Sequence, residues 1–206
     1  MKLYEFPPSP RSRKCLAVAY HLGLAVEAIN VDLPKGEHLK PEFIRLNPNH
    51  KIPVLVDGDL VLWESNAIAL YLCSKAPGNT LFPNDVRTQA DIYRWQFWEA
   101  AHWDATCVIL VFERLIKPAL NLGDPDPQAI EKGEEQFHRF AKVLDDYLHG
   151  RQWLIDDQLS LADFCVAPVL ALAEPAAYPI ESYQEIKRWY DVFSKLDAWQ
   201  RSAPAA

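Results

Sequence analysis

The sequence predicts two units in series, a small mixed α/β unit followed by an all-helical one. Three observations predict this. Strand-like alternation and a hairpin turn are confined to residues 1 to about 78, and strand signals largely vanish from Arg87 onward. The charge divides at the same place: residues 1–78 carry 9 Lys and Arg against 8 Asp and Glu, and residues 79–206 carry 12 against 20. The formal net charge of −7 therefore sits in the helical part, and an anionic ligand is better received by the first unit, near strand ends and helix N-termini.

Within the first unit, Leu3-Tyr4-Glu5-Phe6 reads as a strand ended by Pro7-Pro8. Ser12 to Leu22 places apolar residues at Cys15, Leu16, Val18, Ala19 and Leu22, a helical pattern stopped by Gly23. Ile29, Val31 and Leu33 alternate with polar neighbours, predicting a strand within Val26 to Leu33, so the chain opens as a βαβ unit. After a polar loop, Val54-Leu55-Val56 and Leu60-Val61-Leu62 flank Asp57-Gly58-Asp59, a hairpin signal. Glu64 to Cys73 follows as an apolar helix. Residues 79–86 read as a linker pinned by Leu81-Phe82.

In the second unit, Ile92, Trp95, Phe97, Trp98, Trp103, Val108 and Phe112 populate a long helix ending near Lys117-Pro118. Ile130, Phe137, Phe140, Leu144 and Leu148 form one face of the next helix. Ser160 and Asp163 form a capping box opening a third helix, which Pro168 kinks or breaks. Tyr183 to Trp199 supplies one or two closing helices.

The composition limits the function classes. With 206 residues, half of them apolar, the chain can build a sizeable core. A pI near 5.4 argues against a nucleic-acid partner. Every apolar run is broken by charge well before the ~18 residues a bilayer span needs, and Met1 to Phe6 lack the apolar stretch of a signal peptide. Cys15, Cys73, Cys107 and Cys165 form no CxxC pair, and His38 and His50 lack further ligands at metal spacing. A reduced, cytoplasmic protein without metal and without membrane or nucleic-acid partners is the expectation.

Three junctions carry candidate chemistry. Ser9 lies where a strand ends and a helix begins; it is either that helix's cap or an active hydroxyl beside the positive helix end. No histidine neighbours it in sequence and a G-x-S-x-G elbow is absent, so a chemical Ser9 donates a hydrogen bond to an anion rather than attacking. Pro53 stands at the start of a strand, where its missing N–H is tolerated, and a cis Ile52–Pro53 bond would aim the Ile52 backbone at a ligand. Glu64 is either a first-turn dipole partner or a receptor for an ammonium group, and Ser65 can offer a hydroxyl and an N–H to a carboxylate. If the three converge, they form a receptor for a small zwitterionic peptide.

Three segments, Gly36-Glu37-His38-Leu39-Lys40-Pro41-Glu42-Phe43, Asn47-Pro48-Asn49-His50-Lys51-Ile52-Pro53-Val54-Leu55 and Leu62-Trp63-Glu64-Ser65-Asn66-Ala67-Ile68, occur in that order. With Ser160-Leu161-Ala162-Asp163, they resemble the cytosolic glutathione S-transferase family over essentially the whole chain. The pattern is that of serine-type, delta-like or theta-like, bacterial-like members. The resemblance implies a thioredoxin-like α/β domain at 1–78, a linker at 79–86, an all-α C-terminal domain at 87–206, and a homodimer. It places Ser9 at the glutathione sulfur, His38, His50 and Lys51 near the glycine end, the Ile52 backbone beside cis Pro53 at the cysteinyl part, and Glu64 and Ser65 at the γ-glutamyl end. Asn66 stands where delta-like members commonly carry arginine.

The activity so implied is attack of the glutathione thiolate on a small hydrophobic electrophile, with detoxification as its setting. Pro8, Trp98, His102 and Trp103 are candidates for the electrophile pocket, although aromatics at helical spacing are more often core. The rival reading is a non-catalytic or weakly catalytic glutathione- or ligand-binding member with a stress or partner-binding role. Both readings predict the same scaffold; they differ in whether the Ser9, Pro53 and Glu64-Ser65 groups converge on one cleft that binds glutathione and activates it.

Overall fold

Four short strands and the helices that cover them build the first unit. The computed structural model of the chain describes residues 1–204. Strand β1 (Lys2–Glu5), helix α1 (Pro10–His21) and strand β2 (Glu27–Asn30) form the opening βαβ, with β1 and β2 parallel. A tight helical turn at Glu37–Leu39 and the four-residue helix α2 (Pro41–Ile44) follow. Strands β3 (Val54–Asp57) and β4 (Leu60–Trp63) make an antiparallel hairpin, and α3 (Ser65–Ser74) closes the unit. Gly58, at φ 63°, supplies the positive φ that such a two-residue loop needs. The sheet order is β2-β1-β3-β4, with β1 and β3 antiparallel, the thioredoxin-like arrangement.

Strand alternation divides the core in two. Tyr4 and Val54, paired across β1 and β3, join Val31 and Phe43 in a cluster completed by Leu33, Leu46 and Ile52. Leu3 and Leu55 face the other way and are fully buried, with Cys15, Val18, Ile68, Ala69 and Leu72 supplying the helical side. Strand β2 falls within the predicted Val26 to Leu33, and it ends at Asn30 because Val31 has already turned into the α2 cluster. Helix α2 lies within the stretch read as a polar loop; four residues are too few to display a helical period.

The second unit begins with α4 (Val86–Trp98), whose N-terminus Asp85 caps by accepting from the Thr88 N–H at 2.8 Å. The helix continues through a wide π turn (Glu99–Trp103), α5 (Asp104–Val111), a second π turn (Phe112–Ile116) and α6 (Lys117–Ala119). Helix α7 (Pro127–Leu148) buries Gly133, Phe137, Ala141, Leu144 and Leu148 along one face. A Cβ at Gly133 would stand 3.0 Å from Leu110 Cδ2, so glycine permits the close approach of α5 and α7. The capping box at α8 (Leu161–Val166) is present, and past Val166 the chain tightens into a 3₁₀ helix at Ala167–Leu172, the break attributed to Pro168. Helices α9 (Gln184–Ser194) and α10 (Asp197–Arg201) end the described chain.

The two compact units are Met1–Pro83 with the described residues from Lys195 on, and Asn84–Ser194. These units divide the chain differently from the expected 1–78, 79–86 and 87–206 in two places. Most of the segment read as a linker belongs to the first unit: Leu81 is fully buried, and the Asn79 side-chain amide donates to the carbonyls of Cys73 and Ala76 at 2.9 Å each. The C-terminal segment belongs there as well. Arg13 lies 3.8 Å over the Trp199 ring and Arg201 4.7 Å over that of Tyr20, fastening α10 to α1.

Candidate functional site

Register alone brings the three junctions together. In the antiparallel pair β1–β3, Tyr4 lies opposite Val54, so Ile52 and Pro53 enter the sheet at the end where β1 leaves it toward Ser9. In β3–β4, Val54 lies opposite Trp63, so Glu64 and Ser65 leave at that same end. Contacts join α1 to the start of α3: Lys14 Nζ donates to Ser65 Oγ at 3.3 Å, and Cys15 Sγ donates to the Ser65 carbonyl at 3.6 Å.

Ser9 is the N-cap of α1, with φ −75° and ψ 121°, followed by Pro10 at the first helical position. Its Oγ accepts from the Ser12 N–H at 3.4 Å, a long bond that leaves the half-buried hydroxyl loosely engaged. Ser12 has a different task. It is fully buried, and its Oγ accepts from the Phe6 N–H at 3.2 Å, fastening the strand end to the helix. No acidic side chain occupies the first turn of α1, so its positive end is not offset from within the helix.

The loop before β3 is organised by Asn47, which is buried. Its side chain donates to the Lys51 carbonyl at 2.7 Å and accepts from the Asn49 N–H at 3.0 Å. His50 takes φ 58°, its N–H donating to the Asn47 carbonyl, and the Lys51 side chain is exposed. The Ile52–Pro53 bond is cis. His38 lies in the turn before α2, and its buried Nδ1 has no hydrogen-bond partner among the described residues.

Glu64 has φ 71° and ψ 113°, a strained conformation for a non-glycine residue, costing about 1–3 kcal/mol. Its carbonyl accepts the first bond of α3 from Ile68 at 2.9 Å, yet its carboxylate caps nothing and stays exposed. The strained turn at Glu64 thus opens α3 without a carboxylate cap.

Two buried charged residues of this unit escaped the sequence reading. Glu5 is 4% exposed with Oε2 unpartnered, and burial pushes its carboxyl up to about 7. Lys14 is 1% exposed and also donates to Asn66 Oδ1 at 2.7 Å. A signal was available for each: Glu5 alternates with Leu3 on one strand face, and Lys14 lies one helical turn before Val18 on the apolar side of α1.

The electrophile-pocket candidates divide between units, Pro8 in the first and Trp98, His102 and Trp103 in the second. Pro8 and His102 are exposed, and His102 stacks on Phe140 at 4.9 Å. Trp98 is half-buried. Trp103 is corrected to core: it is fully buried, 5.0 Å from the Phe137 ring and stacked at 5.9 Å beneath Trp98, so it presents no face to a substrate.

The chain is similar to known proteins along its length. Residues 1–74 match the model of the glutathione S-transferase N-terminal domain, and residues 97–197 that of its C-terminal domain. Glutathione S-transferase 3 of Zea mays is 34% identical over 210 residues, covering 100% of this chain and 94% of the maize protein. Glutathione S-transferase D7 of Drosophila melanogaster is 34% identical over 206 residues, covering 98% and 88%. The structure of a glutathione S-transferase-I bound with lactoylglutathione superposes with a TM-score of 0.86 at 29% identity, covering 98% of this chain and 97% of that one. This chain belongs to the glutathione S-transferase family.

Proposed function

We propose that this chain is a serine-type glutathione transferase that ionises the glutathione thiol through Ser9 and presents the thiolate to small hydrophobic electrophiles. The observation that carries the reading is the convergence of the Ser9, Ile52–Pro53 and Glu64–Ser65 junctions at one end of the sheet. In this reading the Ile52 backbone pairs with the cysteinyl part beside Pro53. Glu64 and Ser65 hold the γ-glutamyl end. His38, with its unpartnered Nδ1, His50 and Lys51 serve the glycine end.

The mechanism is one of pKa control. A cysteine-type thiol has a reference pKa near 8.5, so little of it is thiolate at neutral pH. The loosely engaged Ser9 hydroxyl donates to the sulfur anion, and the positive end of α1 favours it further. Together they supply about one to two units of downward shift, each about 1.4 kcal/mol of thiolate stabilisation. The thiol proton passes to water. The sulfur lone pair then forms the new C–S bond as the carbon–halogen bond breaks and halide leaves. With an isothiocyanate, the C–S bond forms as the C=N π pair moves to nitrogen, which takes a proton from water. Ser9 forms no covalent bond. On the first unit, Pro8 is proposed as a wall of the electrophile pocket. The reading extends to a homodimer, to which the half-exposed Trp63 on edge strand β4 would contribute, and to a cytoplasmic role in detoxification within the delta-like or theta-like classes.

Ser9→Ala tests the assignment. The variant retains glutathione affinity within about threefold, its bound-thiol pKa, read by thiolate absorbance, rises by about one to two units, and turnover with halide and isothiocyanate electrophiles falls at neutral pH. An unchanged thiol pKa and unchanged turnover would dismiss the role of Ser9. Glutathione binding by the native protein without conjugation of any electrophile class would favour a non-catalytic binding member.

A further inference from the structure

Glu5 closes strand β1 with its side chain on the buried face, 4% exposed, and its Oε2 has no hydrogen-bond partner among the described residues. One step beyond the last paired residues, Tyr4 and Val54, it stands across from Pro53. Both backbone groups of the next residue are taken up by the start of α1. The Phe6 N–H donates to Ser12 Oγ at 3.2 Å, and the Phe6 carbonyl accepts from the Ser9 N–H at 2.8 Å. The turn so closed holds the Cα atoms of Phe6 and Ser9 within about 7 Å of each other. One further peptide step puts the Glu5 Cα within about 11 Å of that of Ser9.

Strand alternation gives Glu5 the layer that α1 and α3 cover. From α1, the Lys14 ammonium and the Cys15 thiol are buried in that layer. Both are engaged at the start of α3, Lys14 by Ser65 Oγ and Asn66 Oδ1 and Cys15 by the Ser65 carbonyl. Arg11 and Arg13 are half-buried, Arg13 lies over Trp199, and Tyr20 and His21 close the other end of α1. Helix α3 has no charged residue; Cys73 is its buried thiol, and Tyr71 donates to Asp57. Within the sheet, Lys2, Glu27 and Asp57 stand at the opposite end, and Asn30, paired with Glu5, is uncharged. Burial is the influence that moves the Glu5 carboxyl, raising it to about 7. That is the range into which Ser9 and the end of α1 bring a bound thiol.

We propose that Glu5 is a positioning residue for the bound sulfur, its carboxylate opposing the thiolate through the start of α1 and flattening the pH dependence of turnover across neutrality. This rests on the glutathione reading above. Glu5 touches no reacting atom; it sets the potential at the sulfur that Ser9 holds. Like charges about 10 Å apart in a poorly screened interior raise each other's pKa by about half a unit to one unit. The two protons therefore leave in overlapping steps that belong to the pair.

The test titrates bound glutathione by thiolate absorbance in the full-length protein, native and Glu5→Gln. The native curve is shallower than a single-site titration. Glu5→Gln gives a single-site curve whose midpoint is lower by about half a unit to one unit. The pH profile of kcat/KM follows the same two curves, whereas a loss of packing alone would lower affinity without changing their steepness. Reciprocity supplies a second measurement on the native protein, should Glu5→Gln fold poorly. Followed by carbon NMR, the Glu5 carboxyl titrates higher with glutathione than with S-methylglutathione, which has no ionisable sulfur. Superimposable thiol curves for the two proteins, or equal Glu5 midpoints with the two ligands, overturn the role of Glu5. A thiol pKa raised in Ser9→Ala leaves the glutathione reading standing in that case. Failure of the native protein to bind glutathione overturns both.

Discussion

Glu5 sits on the same face of β1 as Leu3, closed off from water with one carboxylate oxygen unpartnered. Burial disfavours its charged form and raises its carboxyl from 4.5 to about 7. The folded state therefore binds more protons than the unfolded state between those values. The contribution is fully present below about 4.5 and is lost as pH rises through about 7. Its size is on the order of 3 kcal/mol. Glu5→Gln should match the native protein near the lower value and exceed its stability by that order at mildly alkaline pH, measured as the difference between urea-unfolding curves. Parallel pH profiles for the two proteins would reject an ionising, buried Glu5. At this scale, the sequence separates candidate chemical residues from packing residues only where a junction marks them. Ser9, Pro53 and Glu64 stand at strand–helix boundaries visible in the pattern. Lys14 and Glu5 sit inside regular elements, where the apolar period draws attention to their neighbours instead. The division of labour between Ser9 and Ser12 depends on two hydrogen-bond distances that no pattern encodes.

Helix starts are the most legible elements, because their determinants are local. The capping box at Ser160 and Asp163 is one, and the structure gives its carboxylate a wider role. Asp163 is fully buried and accepts from the N–H groups of Leu154 and Ser160, from Ser160 Oγ and from Trp189 Nε1, all at 2.9–3.0 Å. It thereby joins the loop before α8, the α8 start and α9. Burial pushes its carboxyl up to about 6, while the four donors pull the other way. Asp163→Ala leaves four donors without their acceptor and should cost about 2–4 kcal/mol, with the buried indole making the loss greater than a cap alone. Chemical denaturation checks this, and a loss under about 1 kcal/mol would reduce Asp163 to an ordinary cap. The π turns at Glu99–Trp103 and Phe112–Ile116 were not legible. A wide turn shifts the face of a helix without changing which residue types occupy it, so a run of aromatics looks continuous across it.

The division of the whole molecule was legible from charge and period, but the home of its C-terminal segment was not. The apolar residues of Tyr183 to Trp199 announce helices without naming their partner, since amphipathic faces of similar width fit many surfaces. The structure returns the described residues from Lys195 on to the first unit, where Trp199 is 2% exposed beneath Arg13. Arg13 lies four residues past Ser9 and donates its backbone N–H to the Ser9 carbonyl at 3.0 Å. Packing at α10 is thereby connected to the helix start that carries the proposed catalytic hydroxyl. Trp199→Ala should therefore destabilise by about 3–5 kcal/mol through the cavity it opens. It should also weaken glutathione binding under conditions where most of the protein remains folded, because α1 loses its support on that side. Trp189→Ala is the matched control, a fully buried tryptophan of the helical unit. It should lower stability comparably while sparing glutathione affinity in the folded fraction. Calorimetric titration of both variants, at a temperature well below either melting transition, separates the two effects. Equal glutathione affinity in the two variants would break the connection between the C-terminal helix and the site.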